Sequence, residues 1–362
     1  MRIKIILVAF LFSFGLSSCS KNDSPVPVDP ERTVFVYMPW STDLLKFFKR
    51  NLQDLKTSIV SNRIQTDRFI VFISESSTES HMFEYRYNNG KCDSLPLKVY
   101  TRPPFTTADG ITAILDDMMG YAPAPKYSMV IGSHGLGWIP VSSWSRTQPM
   151  KYYWDYDGEI QTRFFGGRTP EYQTDITTLA EAIGRSGIKM EYILFDDCYM
   201  SCIEAAYDLK DATDYLIGCP TEIMAYGFPY HLVGKYLTGT VNYEGVADAF
   251  HQFYSNYSTP CGTIAVTRCS ELENLAAVMK EINGRFTFDT SKLGQIQRMD
   301  GYTPVIFFDY GDYVAKLCSD PSLLASSKTS WKRLYLPAIN GIPPLTTRRF
   351  SGGRSRSTPT PA

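Results

Sequence analysis

A cysteine and a histidine, each placed after a short apolar segment, have the residue types and the setting for nucleophilic chemistry. Cys198 follows the apolar residues 192–195, with two acids in between. His134 follows the apolar residues 127–131 and lies in the run GSHG, where the glycines permit a sharp turn. A thiolate attacks electrophilic carbon, and a neighbouring imidazole moves the proton. The two side chains therefore predict a cysteine nucleophile with a histidine base.

The segments that precede these side chains predict where they lie. Both are typical of buried strands, and residues 203–209 have helical spacing. If the strands are parallel neighbours, both side chains leave the sheet at the edge where α/β sheets bind ligands. A helix starting directly after Cys198 would also favour its thiolate. From residue types alone an alternative remains open, in which Cys198 is a small buried hydrophobe and Gly-His-Gly an ordinary turn.

The motifs around the two residues resemble those of the clostripain family of cysteine peptidases. The first is SHGxGW at residues 133–138, and the second is FDxC from Phe195, with Met, Ser, Glu and Ala-Tyr after it. The resemblance extends over residues 32–331. It implies a caspase-like α/β/α sandwich with a mostly parallel central sheet. It also implies that His134 is the base and Cys198 the nucleophile.

The resemblance further implies a cysteine endopeptidase that acts on protein or peptide substrates and cleaves after Arg or Lys. By position, the backbone N–H groups of Gly135 and Cys198 are the candidates to bind the oxyanion. Asp196 matches one acid of the specificity pocket, and its alternative role is to cap the following helix. Tyr226 stands where a second pocket acid is often found. Glu222 is the candidate to replace that acid, so strict basic specificity is in question.

The rest of the chain alternates between strand and helix patterns, which predicts an α/β sandwich with a mostly parallel sheet. Further strands are expected at residues 33–38, 69–73, 214–219 and 262–267, with a short last strand at 305–308 and a hairpin arm at 83–87 that turns at 88–90. Helices are expected at residues 44–55, 109–119, 231–237, 246–257 and 271–286.

A long polar and aromatic segment, residues 142–175, separates His134 from the next predicted helix. Loops of this length inside a domain are usually functional. The resemblance implies an activating cleavage after a basic residue, for which the candidates are Arg146, Lys151, Arg163 and Arg168. The alternative is an uncleaved flap over the site.

The N-terminal residues indicate export. Residues 1–18 have a charged start and an apolar stretch and read as a signal peptide. They end in Leu-Ser-Ser before Cys19, which is similar to a bacterial lipobox and implies lipidation of Cys19; the alternative is an ordinary signal peptide. Residues 19–31 read as a tether. We therefore expect a cell-envelope lipoprotein anchored to a bacterial membrane, either periplasmic or surface-exposed.

The peptidase domain is predicted to span residues 32–331, because residues 332–362 have the composition of a disordered or aberrant tail. That tail keeps a second function class open, a catalytically inactive caspase-like lipoprotein that binds at the cell surface. A serine hydrolase using Ser133 has little support, because the GxSxG elbow is missing.

The net charge and the spacing of possible metal ligands limit which partners and cofactors are expected. With 36 basic and 37 acidic residues, the net charge of −1 argues against general binding of nucleic acid. No metal-ligand spacing is convincing, so no metal or cofactor is predicted, and calcium stays open through the resemblance alone. Export would permit some of the remaining cysteines to pair, in a connectivity that the sequence does not determine.

Overall fold

Segments rich in β-branched and aromatic residues form the strands of the computed structural model, which describes residues 30–141, 165–258, 260–302 and 305–334. The strands are β1 (Arg32–Met38), β2 (Asp67–Ser74), β3 (Glu79–Asn88), β4 (Lys91–Thr101), β5 (Lys126–Gly132), β6 (Met190–Asp196), β7 (Thr213–Gly218) and β8 (Ala265–Arg268). They make one eight-stranded sheet in the order β4-β3-β2-β1-β5-β6-β7-β8. Strands β2, β1, β5, β6 and β7 are parallel, whereas β3, β4 and β8 are antiparallel to their neighbours.

Helices cover both faces of this sheet. The α-helices in the described ranges are α1 (Leu45–Ser61), α2 (Ala108–Tyr121), α3 (Ile176–Arg185), α4 (Ile203–Leu209), α5 (Tyr230–Val233), α6 (Tyr243–Ser255), α7 (Leu272–Arg285), α8 (Tyr310–Leu317) and α9 (Pro321–Leu334).

Alternation along the strands divides the apolar core into two clusters. In β1, Val34 and Val36 join the cluster packed against α1, α5 and α6. Phe35 and Tyr37 join the cluster packed against α2, α3, α4 and α7. The predicted α/β/α sandwich with a mostly parallel sheet is therefore confirmed.

The hairpin of β3 and β4 turns where the sequence predicted. Asn89 and Gly90 both have positive φ, 47° and 83°, as a tight hairpin turn requires. Most of the other predicted elements are present, with boundaries that differ by a few residues. The largest such difference is α1, which runs six residues beyond the predicted end at residue 55.

Three predicted features differ from the structure. The helix expected at residues 231–237 is the short α5 followed by a 3₁₀ turn, Gly234–Tyr236. The last strand expected at residues 305–308 is reduced to a single bridge between Arg298 and Phe308. Helix α9 extends to Leu334, three residues into the predicted tail.

The proposed signal peptide, the lipidation site Cys19 and residues 335–362 lie outside the described residues. Within the described ranges, no helix combines the length and the apolar character that a membrane crossing requires.

The register of the central strands decides where the two chemically interesting side chains emerge. Gly132 of β5 pairs with Asp196 of β6 in a parallel ladder. His134 and Cys198 each lie two residues beyond this pair. The prediction that their strands are parallel neighbours is confirmed, and both residues leave the sheet at the same edge.

Candidate active site

Two loops meet at the carboxyl edge of the sheet: residues 133–140 after β5, here called the His134 loop, and residues 197–202 after β6, the Cys198 loop. The backbone N–H of Ser133 donates to Asp197 Oδ1 at 2.7 Å, and its hydroxyl donates to Asp197 Oδ2 at 2.8 Å. A Cβ on Gly135 would lie 2.4 Å from the carbonyl oxygen of Cys198. The two loops are therefore in direct backbone contact, and only glycine fits at position 135.

His134 is held through both its ring and its backbone. Its ring is fully buried, and its Nε2 lies 2.8 Å from Asp43 Oδ1. Its backbone N–H donates to the carbonyl of Gly166 at 3.1 Å. Arg168, two residues after that glycine, places its guanidinium 3.3 Å from Asp43 Oδ2. Gly166 and Arg168, within the long segment 142–175, therefore contact His134 and its acidic partner.

Asp43 is the site residue that sequence reasoning missed. Burial by itself would raise the pKa of this carboxyl, but the hydrogen bond and charge of His134 and the charge of Arg168 outweigh burial and lower it. The carboxylate is thus kept charged beside the imidazole. A signal for it existed, because Asp43 follows β1, whose carboxyl end lies at the same edge as those of β5 and β6.

Cys198 is fully buried, and its sulfur faces the loop after β7. The backbone N–H of Ile223 lies 3.3 Å from Sγ, and the thiol lies 3.6 Å from the carbonyl oxygen of the same residue. An N–H aimed at sulfur favours negative charge there. The sulfur is not exposed to solvent in this structure.

The helix predicted from the spacing of residues 203–209 is confirmed, but the expectation that it starts directly after Cys198 is wrong. Helix α4 has seven residues, begins at Ile203 and has Cys202 at its N-cap. Residues 197–202 form turns instead, and Tyr199 has a left-handed φ of 58°. A left-handed residue ends the regular strand without starting a helix. The N-terminal charge of α4 is therefore too far along the chain to act directly on Sγ.

The residues predicted to bind substrate occupy different positions. Asp196 is fully buried and accepts hydrogen bonds from the backbone N–H of Phe228 at 2.8 Å and the hydroxyl of Tyr230 at 3.0 Å. Its carboxylate therefore fixes the loop between β7 and α5. Glu222 is half-buried in that loop. Glu222 follows Thr221, whose carbonyl accepts the backbone N–H of Tyr199 at 3.1 Å, so this acid lies near the Cys198 loop. Burial, followed by the charge of Glu222, raises the pKa of Tyr199.

Tyr226 of the same loop lies towards α1. Its hydroxyl donates to Asp54 Oδ2 at 2.7 Å, and its ring stacks on Phe253 with centroids 4.7 Å apart. The guanidinium of Arg50 lies 4.1 Å from the ring centroid. The side chain of Tyr226 thus contacts Asp54 and Arg50, both of α1.

Near the two loops the structure also has a cavity, and the described ranges contain other cysteines. A cavity of about 160 Å³ lies beside the His134 loop and is lined by Trp138, Phe165 and Asp175 among other residues. All seven cysteines in the described ranges are free thiols. Burial raises the pKa of the Cys202 thiol well above its usual range. In the same ranges no three His, Cys, Asp or Glu side chains are grouped as a metal site would require.

Comparison with known proteins shows the family of this chain. The sequence model of the clostripain family matches residues 36–322, most of the chain. The chain belongs to the clostripain family. No curated protein matches it. The predicted family is thereby confirmed, and this clostripain-family chain is a cysteine endopeptidase.

Solved structures agree with this family. A secreted C11 cysteine protease of Bacteroides thetaiotaomicron, iotapain, is 55% identical, with a TM-score of 0.79 over 85% of this chain and 86% of that one. An inactive zymogen C11 protease of Parabacteroides distasonis is 26% identical, with a TM-score of 0.71 over 85% of this chain and 83% of that one. Another secreted C11 protease of B. thetaiotaomicron, solved with an irreversible peptide inhibitor, is 22% identical. It has a TM-score of 0.68 over 84% and 83% of the two chains and shares the fold.

Proposed function

We propose that Cys198 is the nucleophile of this endopeptidase and His134 its acid and base, with Asp43 as a positioning residue. The proposal is supported most directly by the contact between the two loops, Gly135 against the Cys198 carbonyl. The Asp43 carboxylate only accepts hydrogen bonds, so Nε2 of His134 carries a hydrogen when it contacts Asp43. Nδ1 is then the ring nitrogen that exchanges a proton with the thiol.

The reaction follows from these roles. His134 takes the thiol proton, and the Cys198 thiolate attacks the peptide carbonyl to form a C–S bond and an oxyanion. The imidazolium then gives its proton to the amine as the C–N bond breaks, which leaves a thioester. A water molecule, deprotonated by His134, attacks the thioester and releases the acid and the free thiol.

The oxyanion of this reaction needs donors that are already in place. The backbone N–H groups of Gly135 and Cys198 are the proposed pair. The absence of a side chain at Gly135 supports this choice, because it lets the His134 loop approach the Cys198 backbone. Since α4 begins at Ile203, the donors act as individual amides and not through a helix terminus.

The proposed substrates carry Arg or Lys before the scissile bond. Two acids support this class: Asp196, fully buried two residues before the nucleophile, and Glu222, which follows the Thr221 carbonyl that accepts the N–H of Tyr199. Because Asp196 already holds Phe228 and Tyr230, it supplies a fixed negative charge below the site, and Glu222 is the acid that contacts the incoming cation. In this arrangement Tyr226 supports the loop through Asp54.

A panel of fluorogenic peptides varied only before the scissile bond tests this specificity. Arg and Lys peptides should be cleaved at least about tenfold faster than Gln or Leu peptides, and Glu222→Gln should reduce that ratio. Equal rates across the panel would contradict the assignment of these acids.

Activation is proposed to involve cleavage of the long segment 142–175 after a basic residue. Arg146, Lys151 and Arg163 lie outside the described residues. Arg168 lies within them, and its ion pair with Asp43 keeps the covering segment over His134. If purified wild type stays a single band on incubation and is fully active, this proposal is wrong.

The proposed location is the cell envelope, with the chain exported and held to the membrane through acyl chains on Cys19. The lipobox-like residues support anchoring, and two similar proteases being secreted supports export. Cys19→Ala should then release the protein from the membrane fraction. Unchanged membrane association of that variant would contradict lipidation at this residue.

The central experiment compares wild type, Cys198→Ala and Cys202→Ala with Arg and Lys peptides. Cys198→Ala should lose measurable turnover and labelling by a peptidyl electrophile while keeping the thermal unfolding midpoint. Cys202→Ala removes a half-buried thiol four residues away and should keep both the turnover and the labelling of Cys198. A Cys198→Ala protein that still cleaves would end the assignment of the nucleophile.

A further inference from the structure

An aromatic residue far along the chain touches both loops of the site. The ring of Phe307 stacks on that of Tyr199, which directly follows the proposed nucleophile, with centroids 4.3 Å apart and planes 3° apart. A Cβ on Gly137 of the His134 loop would lie 2.7 Å from the Phe307 ring and 2.9 Å from the carbonyl of Tyr199. Phe307 therefore lies where the His134 loop and the Cys198 loop meet.

Tyr199 needs such support. Its φ of 58° is left-handed, a conformation that costs a non-glycine residue about 1–2 kcal/mol. Residues hold such conformations only when the surrounding structure fixes them. Tyr199 is fully buried, its backbone N–H donates to the Thr221 carbonyl at 3.1 Å, and one face of its ring is covered by Phe307.

Phe307 is itself held by a half-buried carboxylate, Asp300. Asp300 accepts hydrogen bonds from the backbone N–H groups of Tyr302 at 2.8 Å and Ile306 at 2.9 Å, and also from that of Phe307. The N–H of Met299 donates to the Phe307 carbonyl at 2.9 Å. These bonds gather the segment around Asp300 and replace the strand expected at residues 305–308. The backbone of Phe307 is therefore held by hydrogen bonds where its ring contacts the site.

We propose that Phe307 is a positioning residue for the peptidase reaction: by stacking on Tyr199 and abutting Gly137, it sets the direction of the Cys198 thiol and amide relative to His134. This inference rests on the proposed dyad. The ring acts through the backbone of the residues it packs against, Tyr199 directly after Cys198 and Gly137 three residues after His134. Its effect belongs to the chemical step, where a displacement of about 1 Å can cost about a hundredfold in rate.

The test compares Phe307→Leu with Phe69→Leu. Both remove a buried ring from the same core cluster, but Phe69 lies at the amino end of the sheet, paired with Val34. Phe307→Leu should lower kcat and the alkylation rate of Cys198 by about ten- to a hundredfold, with KM changed less than about threefold. Phe69→Leu should keep kcat within about twofold at a similar loss of thermal midpoint, and Phe307→Tyr, which keeps the ring, should restore most of kcat.

Two results would overturn the inference: an unchanged kcat in folded Phe307→Leu, or an equal loss of kcat in Phe69→Leu. If Phe307→Leu does not fold, Gly137→Ala reaches the same contact from the His134 loop, and a folded Gly137→Ala with wild-type kcat is equally decisive. Failure of the dyad itself is distinguishable, because Cys198→Ala would then retain turnover whatever the Phe307 variants do.

Discussion

The His134 loop and the Cys198 loop meet at one site but take their shapes in different ways. The His134 loop contains glycines at positions 135 and 137, and both are required by close approach of the other loop or by a positive φ. The Cys198 loop contains no glycine and places Tyr199 in a left-handed conformation instead. The His134 loop fits because it has glycines at the points of closest approach. The Cys198 loop is held by the packing of its buried side chains.

This difference separates what each loop contributes. The His134 loop adapts its backbone to the nucleophile loop, with Asp197 joining the two. The Cys198 loop is a packed unit within the core, since Cys198, Tyr199 and Met200 are all fully buried. Changes in the first loop should therefore alter the distance between the loops. Changes in the second should alter the packing that holds Tyr199.

The largest effect is expected from adding one methyl group to the His134 loop. In Gly135→Ala the new Cβ would meet the Cys198 carbonyl at 2.4 Å and Asp197 at 2.8 Å, so the loops must separate. We expect kcat/KM to fall by about a hundredfold or more. Gly184→Ala, in α3 with no atom within 4 Å of its Cβ, is the control and should stabilise by up to about 1 kcal/mol. Wild-type kcat/KM in Gly135→Ala would show that the loops are not tightly fitted.

A smaller loss is expected when the link between the loops is removed. Asp197→Ala leaves the buried N–H and hydroxyl of Ser133 without this acceptor, which should cost about 2–4 kcal/mol in the free energy of unfolding and lower kcat. Ser133→Ala keeps the backbone bond and loses the hydroxyl, which lies within hydrogen-bond distance of Asp197 Oδ2 and of the His134 carbonyl, and should cost about 1 kcal/mol. Urea unfolding and kcat of both variants measure the link. Equal losses in the two variants would mean that the backbone bond contributes little.

Asp43→Asn tests the orientation of His134. Hydrogen bonds to charged groups contribute about 1.5–3 kcal/mol, so kcat should fall about ten- to a hundredfold. Because the pKa of Asp43 is lowered in the folded protein, its stabilising contribution is complete above the ordinary carboxyl range and is lost as pH falls through the folded pKa.

The thermal midpoint of Asp43→Asn should accordingly fall less steeply than that of wild type between about pH 5 and about pH 2. Parallel acid limbs for the two proteins would contradict the ion pair. Glu75→Gln is a matched control, since Glu75 pairs with Lys49 at 3.0 Å on the exposed surface.

The smallest effect is expected inside the Cys198 loop. The buried hydroxyl of Tyr199 has no hydrogen-bond partner in the described structure, so Tyr199→Phe should keep activity within about twofold and be neutral or stabilising by up to about 1 kcal/mol. In the control Tyr254→Phe, an equally buried hydroxyl that donates to the Gly227 carbonyl at 2.8 Å is lost, which should cost about 1 kcal/mol. A strongly impaired Tyr199→Phe would mean that the hydroxyl, and not the ring, supports this loop.

The sequence predicted well where a local pattern was sufficient. Apolar runs and helical spacing gave the layered fold, and the Asn-Asn-Gly turn gave the β3–β4 hairpin. The strand ends gave the shared edge of His134 and Cys198. These features depend on periodicity and on residues with special backbone freedom, both visible in the chain itself.

The prediction was weaker where distant residues decide the local structure. Contacts between segments far apart in the chain decide four features. They are the gap between Cys198 and the start of α4, the single bridge in place of a last strand, the contact of Asp43 with His134, and the hydrogen bonds that Asp196 accepts. No spacing rule links Asp43 to His134 or Phe307 to Tyr199.

The sequence by itself determined the fold class, the family and the two side chains with the chemistry of a peptidase, because each is written in residue types and short-range order. Only the tertiary structure decided how those side chains are held. The left-handed Tyr199, the acid beside His134 and the Phe307 ring between the loops owe their positions to close packing, in which a residue's conformation is set by neighbours that the chain brings together only when folded.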